Sequence, residues 1–556
     1  MKPLLLSSVG GLALSAAVSL ALLAGPAGAE ISAPRIGAHV EVLASDAFEG
    51  RAPATPAEEK VIAYLSEQLA AAGVAPAGDL KDGVRAWTQD VPLSRFEIKG
   101  PIAASYAAGG KTVVLTQGQE IAIRASANGQ REIRIADAPL VFAGYGVVAP
   151  ERDWNDFAGL DMRGKIALVL VNDPDFESGE GDFGGKAMTY YGRWTYKYEE
   201  AARQGALGLL VIHETAPASY GWATVANSNT NEILDIVRPD PAAAHTALEG
   251  WVQRDLAVDL VAAAGLDFET LKAEAQKRGF RPRALEGVTL STSFDVDQQQ
   301  VITRNVVGEI TGTRRPQERV IYTSHWDHLG VGAPDASGDT IYNGAVDNAA
   351  GVAAVLEIAR AFAQGPAPER SVNFLLVTAE EKGLLGSEYY ASAPLYPLET
   401  TVAILNLDAP SPAGPARDFS TAGDAASDLQ DMLIAMGAER GRRFAPDPRP
   451  EAGSFFRSDH FPFVRAGVPA VSYRSGLDLI EGGIPAGLAW GEAYSARKYH
   501  QQADEYGPDW NLDGIAQDAE MLHALGLNLA NSEAWPAWKD GSEFKARREA
   551  SAAARR

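Results

Sequence analysis

Between Tyr322 and Asp408 the chain repeats one pattern four times: an apolar run or short strand ends in acidic or histidine residues, just before a glycine-rich turn or a helix. The four segments read YTSHWDHLG, NGAVDNAAGVAAVLEIARAF, SVNFLLVTAEEKGLLGSEYY and TVAILNLDAP. In open α/β sheets, ligands and catalytic groups collect at the carboxyl ends of the strands. The pattern, completed by His500 much later in the chain, therefore predicts a two-metal hydrolase centre.

Strand-like and helix-like segments alternate from residue 301 to about 530. SVNFLLVT and TVAILNLD are continuous apolar runs, which are typical of strands buried on both faces of a sheet. The segment after Asp347 has helical periodicity and ends at Gly365, and a second helix is predicted from Pro56 to Gly73. These features predict an α/β fold with a mixed, mainly parallel sheet sandwiched by helices.

The composition of successive segments divides the chain into several parts. Between residues 101 and 292, strand-like pieces alternate with glycine turns and helical stretches, which predicts an inserted, β-rich domain. Residues 30–100 and 293–535 are predicted to form one discontinuous catalytic domain. Residues 1–29 are predicted to be a signal peptide, and residues 536–556 a tail. The tail ends in the basic segment FKARREASAAARR, which we expect to be solvated and disordered.

The predicted signal peptide carries Lys2 and then no charge until Glu30. It ends in Ala27, Gly28 and Ala29, the small-x-small pattern of a signal-peptidase site, so we expect export to the periplasm or the medium. A retained membrane anchor is the alternative, because the uncharged run is nearly long enough to span a bilayer.

Composition excludes several classes of chemistry and partner. The 556 residues contain no cysteine, which excludes disulfides, thiolate zinc sites, a cysteine nucleophile and a lipidated cysteine. The formal net charge of −23 argues against nucleic acids and anionic membranes as partners. Because the chain can form no disulfides, its stability must come from the core and from bound metal. The composition does not decide the oligomeric state.

Histidines supply the first candidate ligands. His325 and Asp327 are two residues apart, so a strand would point both side chains to the same side. The histidine could then face a metal while the carboxylate fixes its other ring nitrogen, although a chance pairing is the alternative. His328 is interpreted as a supporting or structural residue. His500 precedes the final helix, where a lone histidine is most often structural.

Carboxylates follow the apolar segments. Asp347 precedes a helix, where it is either an ordinary N-cap or a ligand that bridges two cations. Glu380 and Glu381 follow an apolar strand, where adjacent like charges are costly without a cation; one could bind metal while the other accepts a proton. Alternatively, Glu380 and Glu381 lie in the first turn of a following helix and have no role in a metal site. Asp408 closes a buried strand and needs a partner.

Together these residues give two histidines and three carboxylates as ligands, with one glutamate to spare. A nitrogen and oxygen ligand set without thiolate suits zinc, with manganese or cobalt as substitutes.

A serine hydrolase that uses Ser458, Asp459 and His460 is a competing hypothesis. The members of a triad must converge in space, and three consecutive residues cannot all do so. The chain also contains no G-x-S-x-G elbow. The sequence therefore favours the metal centre.

The chain resembles the M28 family of zinc exopeptidases, which includes bacterial aminopeptidases and glutamate carboxypeptidase II. The matching motifs lie in the family's order from about residue 300 to 506, and they are HWDHLG, AVDNAAG, TAEEKGLLGS, NLD, SDHFPFVRAGVPAVSY and YHQQADE. The resemblance extends weakly to the LASDAFEGR segment, otherwise predicted to be a surface loop. The inserted region, with PLVFAGYGV, DMRGKIALVLV and AARQGALGLLVI, resembles a protease-associated (PA) domain.

The resemblance implies a ligand set for two zinc ions. It implies that His325 and Asp408 bind one ion. Glu381 and His500 would bind the other, and Asp347 would bridge the two.

The resemblance also implies catalytic roles. Glu380 would be the general base, Asp327 would orient His325, and Tyr499 would stabilise the oxyanion. Family members further imply a cis peptide bond after Asp347.

The first functional hypothesis is an exported di-zinc aminopeptidase that hydrolyses N-terminal residues from peptides. A carboxypeptidase or dipeptidase of the same family would need a cationic pocket, for which Arg457, Arg465 and Arg474 are candidates with structural roles as the alternative. A glutaminyl cyclase-like acyltransferase needs only one metal, and a non-catalytic protein would bind a partner through the PA-like insert. The complete ligand set argues against the acyltransferase, and with intact Glu380 it also argues against the binding protein.

Overall fold

The computed structural model of the protein describes residues 30–228 and 232–555, so the predicted signal peptide lies outside the described residues. Strands of three residues or more in this part are β1 Thr88–Ala108, β2 Lys111–Leu115, β3 Ile121–Ile123, β4 Glu132–Phe142, β5 Ile166–Leu170, β6 Gly208–His213, β7 Glu232–Ile236, β8 Leu248–Gln253, β9 Arg283–Ile310, β10 Arg315–His325, β11 Arg370–Val377, β12 Thr401–Leu407, β13 Asp418–Thr421 and β14 Ala470–Ser475. Helices of eight residues or more are α1 Ala33–Leu43, α2 Pro56–Ala72, α3 Trp194–Arg203, α4 Arg254–Ala263, α5 Phe268–Ala275, α6 Gly351–Gln364, α7 Leu385–Ser392, α8 Asp428–Glu439, α9 Gly483–Arg497 and α10 Asp513–Asn531. Within these ranges no helix has both the length and the apolarity needed to cross a membrane.

The strands of the predicted catalytic region form one part of a large mixed sheet, in the order β13-β14-β12-β10-β11-β9. Strand β10 is parallel to both β11 and β12, and β12 is parallel to β14. Strands β13 and β9 are antiparallel to their neighbours β14 and β11. This mixed, mostly parallel sheet with flanking helices confirms the predicted fold class.

The inserted region continues the same sheet. Strands β4, β5, β6 and β8 pair in parallel, and β3 adds an antiparallel edge. Strands β1 and β9 pair with each other along most of their length and run across both predicted boundaries, at residues 100/101 and 292/293. Backbone hydrogen bonds therefore join the insert to the catalytic region, and the division into domains stays a prediction.

The helix predictions near the sheet agree with the structure. Helix α2 begins at Pro56, and Gly73 ends it in the left-handed conformation, with a φ of 94° that glycine adopts without strain. Helix α6 ends at Gln364, directly before Gly365. Every residue of β11 and of β12 is buried, as their continuous apolar sequences predict. A charged group that follows either strand therefore emerges at the edge of a buried layer.

The carboxyl-terminal tail differs from expectation. Residues Lys545–Ala550 form a helix, and Arg548 is only 5% exposed. Its guanidinium donates hydrogen bonds to the carbonyl oxygens of Thr401 (3.0 Å) and Val402 (3.4 Å), at the start of β12. The prediction of a disordered tail is wrong for this segment, because a long-range contact that composition does not reveal fixes it.

We expect Arg548→Ala to lower the free energy of unfolding by about 1–3 kcal/mol, because two buried carbonyl groups lose their donor. Denaturant unfolding followed by tryptophan fluorescence measures the change. Arg547→Ala, at an exposed neighbouring position, is the matched control and should change stability by less than about 0.5 kcal/mol. Equal stabilities of the two variants would contradict the buried position of Arg548.

Candidate metal centre

The five predicted ligands lie together at the carboxyl edge of β10 and β12. The Nε2 atom of His325 is 3.2 Å from Oδ1 of Asp347 and 3.3 Å from Oδ1 of Asp408. The Nε2 atom of His500 is 3.3 Å from Oδ2 of Asp347 and 3.1 Å from Oε2 of Glu381. Asp347 therefore directs one oxygen to each of two groups of ligand atoms.

The backbone excludes the ordinary alternatives for three of the acidic residues. Helix α6 begins at Gly351, after a six-residue π-type turn, so Asp347 is not its N-cap. Helix α7 begins at Leu385, so Glu380 and Glu381 lie in the preceding turn and not in a helix. The Asp347–Asn348 peptide bond is cis, as the resemblance implied.

Asn348 joins the segments that carry the ligands. Its Nδ2 donates to Oγ of Ser324, the residue before His325, at 2.9 Å. Its Oδ1 accepts from the backbone N–H groups of Gly351 (3.1 Å) and Ala409 (3.0 Å). One buried amide thus fixes the ends of β10 and β12 relative to the start of α6.

Asp504 provides a second link of this kind. Its carboxylate oxygens accept hydrogen bonds from the N–H groups of Val346 and Asp347, both at 3.1 Å, and its carbonyl accepts from Ala345. Burial raises the pKa of Asp504, while these backbone donors lower it. Because Asp504 is four residues after His500, the contact ties the segment that carries His500 to Asp347.

Asp327 contacts more of the site than its predicted role required. Its carboxylate accepts hydrogen bonds from the backbone N–H groups of Glu380 (3.0 Å) and Glu381 (3.4 Å). The Nδ1 atom of His325 is 3.1 Å from the carbonyl oxygen of Asp327 and 3.8 Å from its Oδ1. The histidine ring is therefore oriented by the carbonyl, while the carboxylate fixes the two glutamates.

Glu380 lies in surroundings that favour proton uptake. Burial raises its pKa well above the ordinary value, the charges of Asp408 and Glu381 add to this effect, and His325 opposes it. In Glu381, burial and the charge of Asp347 also raise the pKa, but hydrogen bonds from histidines outweigh them and lower it to about 2. The two adjacent glutamates thus have opposite proton affinities, which suits a division between base and ligand.

His328 and Tyr499 complete the wall around Glu381 and His500. The Nδ1 atom of His328 is 2.6 Å from Oε1 of Glu381, so with Asp347 it forms a second possible ligand group. The ring of Tyr499 stacks on His500 with centroids 3.9 Å apart, and this residue is 48% exposed and lines a cavity beside the converging ligands.

The competing serine triad does not form. Ser458 donates to Oδ2 of Asp408 at 2.7 Å, and Asp459 accepts from Ser387 at 2.7 Å. Both ring nitrogens of His460 are buried and lack a hydrogen-bond partner among the residues described. Ser458 is therefore a neighbour that orients a predicted metal ligand, and not a nucleophile activated by histidine.

Arg51 was not found by sequence reasoning. The LASDAFEGR loop was expected at the surface, yet Arg51 is only 1% exposed. Its guanidinium donates to the carbonyl oxygens of Leu43, Trp326, Asn343 and Gly344 at 2.6–2.9 Å. Three of these carbonyls lie within the HWDH and NGAVD motifs, and the weak resemblance at this loop was the one sequence signal for the contacts.

The donor set fits a divalent cation such as zinc. Two groups, one with His325 and Asp408 and one with His328 and Glu381, share Asp347, and within each the ligand atoms lie within 4.8 Å of one another. In the described part of the chain, these carboxylates form ion pairs with histidines and with no lysine or arginine. Buried like charges of this kind are costly without a cation, and nitrogen and oxygen ligands suit zinc.

The comparison with protein families agrees with this geometry. The profile of peptidase family M28 matches residues 305–523, which include all five converging residues. This segment is a peptidase family M28 domain. Zinc is therefore the metal that the family and the donor set of the M28 domain both indicate.

The relatives of the M28 domain include proteins described as aminopeptidases and zinc metalloproteases. Over 265 residues the chain is 28% identical to the probable lipoprotein aminopeptidase LpqL of Mycobacterium tuberculosis, with 45% of this chain and 49% of LpqL covered. Over 103 residues it is 35% identical to a probable zinc metalloprotease of Pyrenophora teres f. teres, with 18% of this chain and 22% of the relative covered. The chain thus spans about half the length, or less, of these relatives. Among solved structures, an aminopeptidase from Aneurinibacillus sp. strain AM-1 matches with a TM-score of 0.48 and 18% identity, with 90% of this chain and 95% of that one covered.

We expect Arg51→Met to lower the free energy of unfolding of the metal-free protein by about 3 kcal/mol, because four carbonyl groups lose a buried charged donor. Zinc affinity should also fall, because three of these carbonyls belong to the segments that carry the predicted ligands His325 and Asp347. Chemical denaturation in chelator and competitive zinc titration measure the two effects. Glu49→Gln, at an exposed position of the same loop, is the control. Unchanged stability and affinity in Arg51→Met would show that the loop does not support the site.

Proposed function

We propose that the protein is an exported di-zinc metallo-exopeptidase, and specifically an aminopeptidase that removes N-terminal residues from peptides. The observation that carries the proposal is the convergence of two ligand groups on Asp347, with Glu380 beside them. The M28 match supports peptide hydrolysis, and the sequence of residues 1–29 supports export.

His325 and Asp408 would hold one zinc ion, Glu381 and His500 would hold the other, and Asp347 would contact both. When bound, paired zinc ions supply Lewis-acid chemistry that polarises a carbonyl and lowers the pKa of water. Manganese or cobalt would use the same oxygen and nitrogen donors. His328 contacts the second oxygen of Glu381 and would hold that carboxylate in place.

The residues beside the ligands supply the proton transfers. Glu380 would take the proton from the attacking water and return it to the leaving amine, and its raised pKa suits a group that must keep the proton between these steps. Asp327 holds the Glu380 backbone in position. The Tyr499 hydroxyl would donate to the oxyanion, which by analogy with other oxyanion donors contributes about 3 kcal/mol.

A cavity beside the centre would receive the substrate. Its volume is about 380 Å³, and it is lined by Glu380, Tyr499 and His500 together with residues of the insert that include Tyr190 and Trp194. A peptide in this cavity would contact both regions. The insert would therefore take part in substrate selection.

The first test is hydrolysis by the purified mature protein of aminoacyl p-nitroanilides, their N-acetylated counterparts and C-terminally free dipeptides. We expect cleavage of substrates with a free amine, loss of activity on chelation, and recovery on addition of zinc. Glu380→Gln should lower kcat by about 10²–10⁴-fold with unchanged zinc content, because the general base is lost while the ligands are kept. Glu439→Gln, an exposed surface change, is the control.

Two results would contradict this proposal. Cleavage that survives N-acetylation and requires a free carboxylate would indicate a carboxypeptidase. Absence of both zinc binding and turnover would overturn the catalytic function and favour a binding protein.

Zinc content separates the two histidines that contact Glu381. His500 also contacts Asp347, so we expect His500→Ala to bind about one zinc ion per chain in place of two. His328→Ala should keep both ions but bind them about 10–100-fold more weakly, because it removes a residue that orients a ligand. Elemental analysis after dialysis against defined free zinc measures both. Loss of one ion from His328→Ala alone would reverse the assignment.

A further inference from the structure

A column of aromatic rings connects helix α9 to the metal centre. Trp490 stacks on Tyr494 with ring centroids 5.3 Å apart and an interplanar angle of 5°. The ring of Tyr494 lies 6.1 Å from that of Tyr499 and is inclined to it by 60°. Tyr499 in turn stacks on His500, with centroids 3.9 Å apart. Four rings therefore lead from the helix to a predicted zinc ligand.

The outer part of this column is weakly confined by the rest of the protein. Helix α9 lies at the surface, and Gly487 is its one buried residue. Tyr499 is 48% exposed. A half-exposed tyrosine keeps several side-chain rotamers unless its neighbours restrict them, because fixing one rotamer costs entropy. A hydroxyl that must meet an oxyanion therefore needs contacts that hold its ring in one orientation.

Tyr494 supplies such contacts through its backbone and its ring. Its carbonyl oxygen accepts hydrogen bonds from the N–H groups of Lys498 (2.8 Å) and Tyr499 (2.9 Å). The next residue, His500, has a φ of 57°, in the left-handed region that is unfavourable for a residue with a side chain. The carbonyl and the ring of Tyr494 thus hold the chain where it leaves helix α9 and turns toward the centre.

The hydroxyl of Tyr494 connects the same residue to the predicted bridging aspartate. It donates to Oδ2 of Asp504 at 3.2 Å. That oxygen also accepts from the backbone N–H of Asp347 at 3.1 Å, and Asp504 is fully buried. Because one buried carboxylate oxygen receives both donors, the position of the Tyr494 ring is fixed relative to the backbone of Asp347.

We propose that Tyr494 is a positioning residue of the reaction, which holds the Tyr499 hydroxyl in a fixed place relative to Asp347 so that the oxyanion donor is aligned before substrate binds. This inference rests on the proposed peptidase function, in which Tyr499 is that donor. Among the described residues, Tyr499 and His500 line the cavity and Tyr494 does not. Tyr494 therefore acts through Tyr499 and not on the substrate.

The test is a double-mutant cycle with Tyr499→Phe, measured at saturating zinc on an aminoacyl p-nitroanilide. We expect Tyr494→Leu to lower kcat about tenfold with unchanged KM and zinc content, because a misplaced donor is lost in the transition state alone. Tyr494→Phe keeps the ring and should lower kcat about threefold through loss of the bond to Asp504. In the Tyr499→Phe background each substitution should change kcat by less than about twofold, because the group that it positions is already absent.

Binding of an α-aminophosphonic acid gives a readout that does not depend on turnover. Its tetrahedral, negatively charged oxygens resemble the oxyanion, and transition-state analogues respond to the same donors. In calorimetry with the zinc-loaded protein, Tyr494→Leu should weaken binding about tenfold. The double variant Tyr494→Leu/Tyr499→Phe should bind no more weakly than Tyr499→Phe alone.

The control is Tyr106→Leu, which removes a half-buried tyrosine of strand β1 that does not line the cavity. It should leave kcat and phosphonate binding unchanged. If Tyr494→Leu does not fold, Tyr494→Phe decides the question by the same cycle.

The outcomes separate this inference from the proposed function. Unchanged kcat in Tyr494→Leu, or an equal loss with and without the Tyr499 hydroxyl, would overturn the positioning role and leave the peptidase proposal standing. Unchanged kcat in Tyr499→Phe would overturn it as well, since no oxyanion donor would remain to be positioned. Coupled phosphonate binding without hydrolysis of any substrate would overturn the peptidase proposal and leave the positioning of Tyr499 by Tyr494 standing.

Discussion

Mutual repulsion among buried carboxylates is the constraint on which the centre of this protein depends. Asp347 and Asp408 both contact His325, and Asp347 and Glu381 both contact His500, so the three carboxylates lie close together. In the described structure their ion-pair partners are histidines. Such a cluster is stable only when a cation is bound or when some groups take up protons. The network of Asn348 and Asp504 holds the backbone so that the side chains cannot separate to relieve the repulsion.

The position of the cluster follows from the sheet. Strands β10 and β12 are parallel neighbours, so their carboxyl ends, and with them His325 and Asp408, meet at one edge. The apolar interior of these strands confines polar groups to that edge. Glu380 and Glu381 arrive there from the adjacent strand β11, held by the carboxylate of Asp327. This arrangement places Glu380 beside the converging histidines and carboxylates, as the proposed hydrolytic mechanism requires.

Two sets of contacts join the insert to the M28 domain. Paired strands β1 and β9 run through both regions, and the contacts of Tyr190 with Phe456 and Phe461 join them again beside the cavity. The cavity wall carries paired arginines from both regions, and among the described residues Arg193 and Arg457 have no acidic partner. In a chain with 72 acidic against 49 basic residues, this wall carries a larger share of basic side chains than the composition as a whole.

The sequence by itself determined the α/β fold, the strands that end in His325 and Asp408 and the bounds of helix α2, because these depend on local periodicity and on the cost of burying charge at a strand end. The resemblance of the ordered motifs to the M28 family indicated the complete set of converging residues, including His500. The sequence did not determine the long-range contacts of the arginines. The burial of Arg51 and Arg548, the pairing of Arg465 and the unpaired state of Arg193 each depend on residues that are distant in the chain. An arginine has the same local signature whether it lies in solvent, closes an ion pair or binds main-chain carbonyls. Only the tertiary structure decides which partner is within reach, since packing of the sheet, the insert and the tail sets those distances.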